Sequence, residues 1–222
     1  MPHTDKEVSL STLRELLNST TPARDVVHRH GRSYRGFFQS AKAFEGSIPF
    51  ESGLARDALR MFELASNVTM IVPEPFVLPY GLDDEIRCYT PDYLLFLRDG
   101  RRAVVEIKWQ AEADQPHNQH RFKVISKLMA NANALFAILT ETTLRDTTLQ
   151  RNMSLIESHK NCHIPPVIVG QLLGYLRGGG VSLGSLVNRL GHPGMVLAAI
   201  GQGILTTNLR APLTKDTQIR RA

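Results

Sequence analysis

Two strand-like runs and the turn between them decide the fold, and residues 89–109, which contain them, read YTPDYLLFLRDGRRAVVEIKW. Side chains two residues apart on a strand project from the same face, so Glu106 and Lys108 point to one side while Ile107 points to the other. Burying two charged groups on an apolar strand is costly unless they meet each other or a cation. The stretch therefore predicts a strand hairpin with a charged site at its rim.

The length of the hairpin loop determines whether Asp92 joins this charged pair. A two-residue turn would place Asp92 opposite Ile107, on the wrong face of the sheet. A three-residue or bulged loop shifts the register by one residue and places Asp92 opposite Glu106 or Lys108, on the same face. We predict this longer loop, with Gly100 in a left-handed conformation.

An Asp, a Glu and a Lys that converge at the end of a sheet suit metal-dependent phosphodiester hydrolysis. Asp92 and Glu106 offer hard oxygen ligands for Mg²⁺, and the backbone carbonyl of Ile107, waters and a substrate phosphate would complete the shell. Lys108 would orient or help to deprotonate the attacking water and offset the charge that develops on the phosphorane. The alternative interpretation of the same spacing is a hairpin with one buried ion pair.

Segments on both sides of the hairpin predict an α/β domain over residues 40–140. A helix is expected from the N-cap Ser52 to about Ala65, and another over residues 117–133. Strand-like runs occupy residues 68–72, 76–80, 85–88, 92–97, 103–109 and 134–139. Strands that alternate with flanking helices are typical of an α/β domain.

The two ends of the chain differ from this domain. Residues 8–18 predict a short amphipathic helix, and a basic segment with interleaved aromatic residues follows as far as Lys42. Beyond Thr140, short helices precede a strand-like run at 204–207, which predicts a winged helix-turn-helix with residues 193–202 as its recognition helix. We expect this C-terminal region to be all-α, with a winged-helix fold.

Composition excludes several classes of protein. The 222 residues are 42% hydrophobic and 21% charged, which is a globular composition and excludes bulk disorder. No apolar run reaches the length of a membrane helix, and the first ten residues lack the apolar region of a signal peptide. The two cysteines, Cys88 and Cys162, suggest neither a metal pair nor an oxidising compartment, so the reduced cytoplasm is the expected location.

Positive charge is concentrated in the C-terminal half of the chain. The formal charge is +5; residues 126–222 hold ten Lys/Arg against four Asp/Glu, whereas residues 1–125 hold 16 against 17. A basic region of this kind favours a polyanionic partner such as nucleic acid. A solvated basic surface is the alternative interpretation.

Several motifs, in the same order, resemble one family of nucleases. Pro91-Asp92 and Glu106-x-Lys108 match the PD-(D/E)XK nuclease signature. The stretches that resemble the TnsA family, the endonuclease subunit of heteromeric transposases, are RGFFQSAKAFEGSIPFESGLARD (35–57), VPEPFVLPY (72–80), YTPDYLLFL (89–97), VVEIKWQ (104–110) and AILTETTLRDTTLQRN (137–152). The resemblance extends over roughly residues 35–219 and implies a restriction-endonuclease-like mixed sheet flanked by helices.

The resemblance also implies roles for individual residues. Asp92 and Glu106 would be metal ligands with the carbonyl of Ile107, and Lys108 would be the catalytic lysine. The implied cofactor is Mg²⁺, with two ions in the active form and Mn²⁺ as an alternative. The domain prediction that follows has three parts: an N-terminal helix and basic arm over 1–45, a PD-(D/E)XK nuclease domain over 46–145, and a winged-helix domain over 146–222.

One carboxylate that the family supplies is missing. The family has a Ser-x-Leu-Glu pattern on its first core helix, and residues 52–55 read Ser-Gly-Leu-Ala. Ala55 therefore occupies the position of a catalytic Glu, and Glu51, which precedes the expected cap, would be badly aimed to replace it. Either this member is naturally impaired or Ala55 is an engineered replacement; the intact surroundings favour the second. We expect a chain that binds DNA, retains part of a Mg²⁺ site and cuts poorly.

By the same resemblance, the substrate is double-stranded DNA at transposon ends. The family cuts the 5′ strands there, leaving a 5′-phosphate and a 3′-hydroxyl, while the DDE-type subunit TnsB cuts and joins the 3′ strands. TnsB and the AAA+ regulator TnsC are the expected partners, in the bacterial cytoplasm at the nucleoid and not in a membrane. We expect Arg32, Arg35, Lys42 and Gln110 to contact the DNA.

Two other functions also fit the sequence. A non-catalytic assembly factor that bridges transposase and regulator on DNA accounts for Ala55 but leaves the intact Asp92, Glu106 and Lys108 unexplained. A stand-alone restriction or repair nuclease would cut naked DNA without partners.

Overall fold

The computed structural model describes residues 8–23 and 34–222. The described residues form two compact units. The first contains those up to Leu59 together with Val68–Thr143, and the second contains Arg60–Asn67 with Leu144–Ala222. Within the described ranges, no helix combines the length and the apolar character needed to cross a membrane.

The first 144 residues contain the predicted α/β elements. The helices are α1 (Leu10–Leu16), α2 (Gly53–Leu64), α3 (Gln110–Ala113), α4 (Pro116–Asn131) and α5 (Glu141–Leu144). The strands are β1 (Gly36–Gln39), β2 (Ser47–Phe50), β3 (Val68–Pro73), β4 (Leu78–Leu82), β5 (Glu85–Tyr89), β6 (Tyr93–Leu97), β7 (Arg102–Ile107) and β8 (Leu135–Leu139). The helices and strands that the sequence predicted here are confirmed to within about two residues at each end.

Four of these strands form a mixed sheet in the order β3-β6-β7-β8. The first three are antiparallel neighbours, whereas β8 runs parallel to β7. A parallel neighbour needs a crossover connection, and α4 lies in the chain between β7 and β8. The predicted α/β class, with a mixed sheet flanked by helices, is confirmed.

The β6–β7 hairpin has the register that the charged site requires. Tyr93 lies opposite Val105, so Asp92 comes opposite Glu106 when the pairing is continued by one residue. Leu97 closes a three-residue loop through a hydrogen bond from its N–H to the carbonyl of Arg101 at 3.0 Å. Gly100 has a φ of +85°. The prediction of a longer loop with a left-handed Gly100 is confirmed.

Helix α1 packs into the core of the first unit. Its cap is Ser9, whose side chain accepts a hydrogen bond from the N–H of Thr12 at 3.2 Å. Leu13 and Leu17 are buried in the same apolar cluster as Val104 of the sheet. The N-terminal helix therefore contributes to the core that supports β6 and β7.

Strand β1 lies within the segment that the sequence predicted as a basic arm, and it forms a hairpin with β2. Gly36 of β1 pairs with Phe50 of β2 in an antiparallel register. A Cβ atom at Gly36 would lie 2.8 Å from the ring of Phe50, so the close approach requires glycine. Along β1, partly buried and exposed residues alternate, which is a strand pattern within the segment whose aromatic and basic residues predicted a DNA-facing arm.

The second unit is built from helices and a small sheet. Its later elements are α6 (Thr147–Glu157), α7 (Pro166–Tyr175), β9 (Val181–Ser182), α8 (Leu183–Leu190), α9 (Pro193–Gly201), β10 (Leu205–Thr206) and β11 (Gln218–Arg221). The three strands form an antiparallel sheet in the order β10-β11-β9. The prediction of an all-α region is wrong. The strand β10 lies within the strand-like run expected at 204–207, whereas β9 and β11 were not predicted, because strands of two to four residues are too short for hydrophobic periodicity to reveal.

Helix α9 is the buried helix of the second unit. Residues 196–201 are all buried, and the helix packs in the apolar cluster that includes Met153 of α6 and Leu186 of α8. A Cβ atom at Gly194 would lie 2.9 Å from the ring of His159. A recognition helix needs an exposed polar face to enter a DNA groove. The prediction that residues 193–202 form one is therefore wrong.

Candidate active site

A pocket of about 240 Å³ opens at the end of the β6–β7 hairpin opposite its loop. Asp92, Ile107 and Lys108 line it from the hairpin, and Ala55 lines it from α2. Four of the five positions that sequence reasoning assigned to a catalytic or ligand role thus face one cavity within the first unit. Glu106 lies beside the cavity and contacts Lys108.

Ala55 is placed by the first turn of α2. The N–H of Ala55 donates a hydrogen bond to Oγ of Ser52 at 3.0 Å, which caps the helix as expected. This cap fixes the position of Ala55 in the first turn of the helix. Because Ala55 is partly exposed there, a longer side chain at this position would extend into the cavity.

Asp92 is the carboxyl group whose ionisation the pocket perturbs most clearly. Its Oδ2 accepts a hydrogen bond from the N–H of Ile107 at 2.6 Å. Burial, and after it the negative charge of Glu106, raises the pKa of Asp92 from 3.8 to about 7, against the lowering effects of the Ile107 N–H and the Lys108 ammonium. A carboxylate that is costly to ionise in isolation gains from a bound cation.

Glu106 is almost completely buried, with 4% of its surface exposed. Its Oε2 accepts a hydrogen bond from the hydroxyl of Tyr89 at 2.9 Å. Its Oε1 lies 3.5 Å from Nζ of Lys108 and 3.4 Å from Nη2 of Arg121. The two cations and the hydroxyl offset the cost of burying this carboxylate.

Sequence reasoning missed Tyr89 and Arg121. Tyr89 ends β5 and Arg121 lies on α4. Neither residue belongs to the β6–β7 hairpin that holds Glu106, so strand pairing in that hairpin does not place them. Burial and the charge of Glu106 raise the pKa of Tyr89 well above its usual value, which keeps the hydroxyl a donor. The available signal was a Tyr within the same 89–109 stretch, but spacing alone does not show which side chain it reaches.

The pocket also holds carboxylates that were not expected there. Glu51 lines it, although the sequence predicts that this residue is badly aimed, and its Oε1 lies 3.7 Å from Nε of Arg35. Glu74 lines it as well, with a φ of +38° and an N–H that donates to the carbonyl of Asp92 at 2.9 Å. Glu112 of α3 completes this acidic lining. A negatively charged cavity attracts cations and repels phosphate.

The predicted DNA-contacting residues occupy different places. Arg32 lies outside the described residues. Arg35 pairs with Glu51, and the main chain of Lys42 is fixed by a hydrogen bond from Ile71 N–H to its carbonyl at 3.0 Å. Gln110 does not line the pocket; its side chain bonds to others in the first unit, including the hydroxyl of Thr140 at 2.8 Å.

The donor set fits a hard divalent cation only in part. Asp92 and Glu106, with the carbonyl of Ile107, are oxygen donors of the type that Mg²⁺ prefers, and water commonly completes its octahedral shell. Among the residues that the structure describes, no group of three or more His, Cys, Asp or Glu side chains is close enough to hold a metal ion. The position of Ala55 on the pocket shows where a third carboxylate would enter.

Residues 65–141 match the family model described as TnsA-like endonuclease N terminal. This segment is similar to the TnsA-like endonucleases. It contains Asp92, Glu106 and Lys108, while Ala55 precedes it. The match indicates an endonuclease subunit of a transposase, a family that works with DNA and other transposase components, and its PD-(D/E)XK fold agrees with the mixed sheet. No curated protein matches the chain significantly.

Proposed function

We propose that the chain is the DNA endonuclease subunit of a heteromeric transposase, which cuts the 5′ strands at transposon ends by Mg²⁺-dependent hydrolysis. The observation that carries the proposal is the convergence of Ala55, Asp92 and Lys108 on one pocket, with Glu106 opposite Asp92 across the hairpin. The TnsA-like match over the same strands supports the reaction class.

The residues of the pocket divide the chemistry between them. Asp92, Glu106 and the carbonyl of Ile107 would hold Mg²⁺, which supplies Lewis acidity and lowers the pKa of a bound water. Lys108 extends to the pocket with 31% of its side chain exposed, where its ammonium can stabilise charge that develops on a scissile phosphate. Because the pocket is lined by carboxylates, a phosphate would need a cation beside it to enter.

The absence of a carboxylate at position 55 would impair the enzyme. Losing one carboxylate removes a ligand and a negative charge from the metal site, which weakens cation binding. We expect Ala55→Glu to create Mg²⁺-dependent nicking of transposon-end DNA in the presence of the partner transposase.

Nicking of labelled 5′ strands is the measurement, with Ala55→Gln as the matched control because it adds the same bulk without the charge. If Ala55→Glu stays as inert as Ala55→Gln under these conditions, the catalytic assignment of this pocket is wrong.

The second unit would supply contacts to DNA and to other components. Its element order α7-β9-α8-α9-β10-β11 supports a winged-helix fold. Since α9 is buried, the contacts would come from exposed strands such as β11, which carries Arg220 and Arg221. We propose TnsB and TnsC as partners and the bacterial cytoplasm, at the nucleoid, as the location.

A second function is favoured by Ala55 and by the small donor set. A non-catalytic assembly factor that bridges transposase and regulator needs no metal. Binding of Mn²⁺ that depends on Asp92 and Glu106 would contradict this alternative, whereas a chain that binds DNA and partners without metal would support it.

A further inference from the structure

The two oxygens of the Glu106 carboxylate have different surroundings. Oε2 accepts one hydrogen bond, from the Tyr89 hydroxyl at 2.9 Å. Oε1 has two longer contacts, 3.4 Å to Arg121 and 3.5 Å to Lys108. Each carboxylate oxygen has two lone-pair directions, and contacts near 3.5 Å are at the outer limit of hydrogen bonding. Oε2 is therefore fixed, whereas Oε1 retains acceptor capacity for another cation.

Tyr89 is itself held rigidly. It is 4% exposed at the end of β5, and β5 pairs with β4 in a two-stranded sheet separate from the one that carries Glu106. Its ring meets the ring of Phe136 edge-on at 6.4 Å between centroids, and the guanidinium of Arg121 lies 5.9 Å from its centroid. Aromatic packing of this kind restricts the ring and so restricts where the hydroxyl can point.

We propose that Tyr89 is a positioning residue for the metal site, fixing Oε2 of Glu106 so that Oε1 faces the cation as a single-oxygen ligand. The inference rests on the proposed function, because it concerns the same site. Groups that orient a ligand without touching the metal commonly change metal affinity 10- to 100-fold when they are removed. A hydroxyl delivered from another sheet also ties the geometry of Glu106 to the β4–β5 hairpin.

Arg121 has a different role in the same arrangement. Its guanidinium lies 4.8 Å from the centroid of Phe122 and keeps its longer contact with Oε1 of Glu106. It offsets the charge of the buried carboxylate, and its contact distance leaves room for a cation to compete for that oxygen. Orientation therefore comes from Tyr89, and charge compensation from Arg121.

The test is Mn²⁺ binding, followed by electron paramagnetic resonance, in the full chain with Ala55 unchanged. Tyr89→Phe deletes the one hydroxyl and is expected to weaken binding about 10- to 100-fold. Tyr80→Phe is the matched control, because Tyr80 is equally buried in the same hairpin, on β4, and we expect its variant to bind like the parent. Glu106→Gln is expected to abolish binding and reports on the site itself.

The outcomes separate the two proposals. Loss of binding in Glu106→Gln with parental binding in Tyr89→Phe would overturn the positioning role and leave the proposed function intact. Parental binding in both variants, or no binding in the parent chain, would overturn the metal site and the positioning role together.

A second variant covers a failure of Tyr89→Phe to fold. Phe136→Leu removes the edge contact with the Tyr89 ring and does not touch Glu106, so it is expected to weaken Mn²⁺ binding in the same direction by a smaller factor. In an Ala55→Glu background, Tyr89→Phe should raise the Mg²⁺ concentration for half-maximal nicking by about 10-fold or more, and excess Mg²⁺ should restore most of the rate. A general loss of structure would not be rescued by metal, and that result would contradict the inference.

Discussion

Asp92 is the pocket residue whose ionised form is disfavoured by burial and by neighbouring negative charge. It faces the same cavity as Glu51, Glu74 and Glu112, and it lies opposite Glu106 across the hairpin. Burial, and after it the charge of Glu106, disfavours the ionised form of Asp92 until a cation arrives. The metal-free protein is therefore expected to be less stable when Asp92 is charged than when it is neutral.

This expectation gives a pH dependence with a definite sign. The pKa of Asp92 is about 7 in the folded chain and 3.8 ordinarily, so the unfolded state ionises first and stability falls as pH rises from about 4 to about 7. Asp92→Asn keeps an acceptor for the Ile107 N–H but cannot ionise. Without metal, we expect it to match the parent near pH 4 and to exceed it by up to about 4 kcal/mol above pH 7.

Chemical unfolding at pH 4 to 8 in the presence of a chelator measures this difference. Asp84→Asn, which replaces an exposed carboxylate on the β4–β5 turn, is the control and should leave the pH dependence of the parent unchanged. A stability difference for Asp92→Asn that does not grow with pH would show that the pKa of Asp92 is not raised in the folded chain.

At the scale of elements, the three-residue loop of the β6–β7 hairpin sets the register of the site. Gly100 has a φ of +85°, where a side chain is strained although nothing lies within 4 Å of a Cβ atom. We expect Gly100→Ala to lower the free energy of unfolding by about 1 kcal/mol, as measured by denaturant titration.

Gly170, in the middle of α7, provides the matched control. A Cβ atom there also meets nothing within 4 Å, but the backbone is helical. Gly170→Ala should therefore stabilise the chain by about 0.4–1 kcal/mol. Equal effects at the two glycines would mean that the loop conformation does not constrain the hairpin.

The hairpin also shows which parts of the site could be predicted from the sequence. Asp92 and Glu106 were paired by counting residues through a short loop, because strand periodicity and loop length are local properties. Tyr89 and Arg121 could not be assigned in this way, since their contacts to Glu106 depend on how a separate hairpin and α4 pack on the sheet. Tertiary contacts of this kind leave no fixed spacing in the sequence.

Short elements were the other failure. In β1 the alternation extends over four residues, and the basic and aromatic character of the segment outweighed it.

In the second unit, α9 was assigned to DNA from its position after a turn, although its composition of Gly, Ala, Val, Leu and Ile indicates burial. Apolarity on every side of a helix is a stronger signal than its place in a motif.

At the scale of the whole molecule, the proposed cation binding and the proposed DNA binding fall on differently charged parts of the chain. Residues 126–222 carry a net charge of +6 from ten basic and four acidic residues, whereas the acidic pocket lies before residue 126. Phosphate attraction by the basic part would hold DNA without drawing phosphates into the acidic pocket.

Salt dependence of DNA binding tests this division. Replacing Arg220 and Arg221 of β11 with Gln is expected to weaken binding to duplex DNA and to reduce the slope of log affinity against log salt by up to about two, one for each phosphate that an arginine no longer neutralises. Arg14→Gln with Lys123→Gln removes the same charge from exposed positions before residue 126, on α1 and α4, and should leave the slope unchanged. Identical slopes for both double variants would place the DNA-binding surface elsewhere.

The burial of α9 has a consequence for how this protein can diverge. A helix enclosed by its own neighbours accepts substitutions that conserve volume, because interiors are close-packed. New docking preferences are therefore expected to arise from substitutions at exposed positions such as those on β11, and not from substitutions in α9. New contacts in the second unit are therefore expected at its exposed residues.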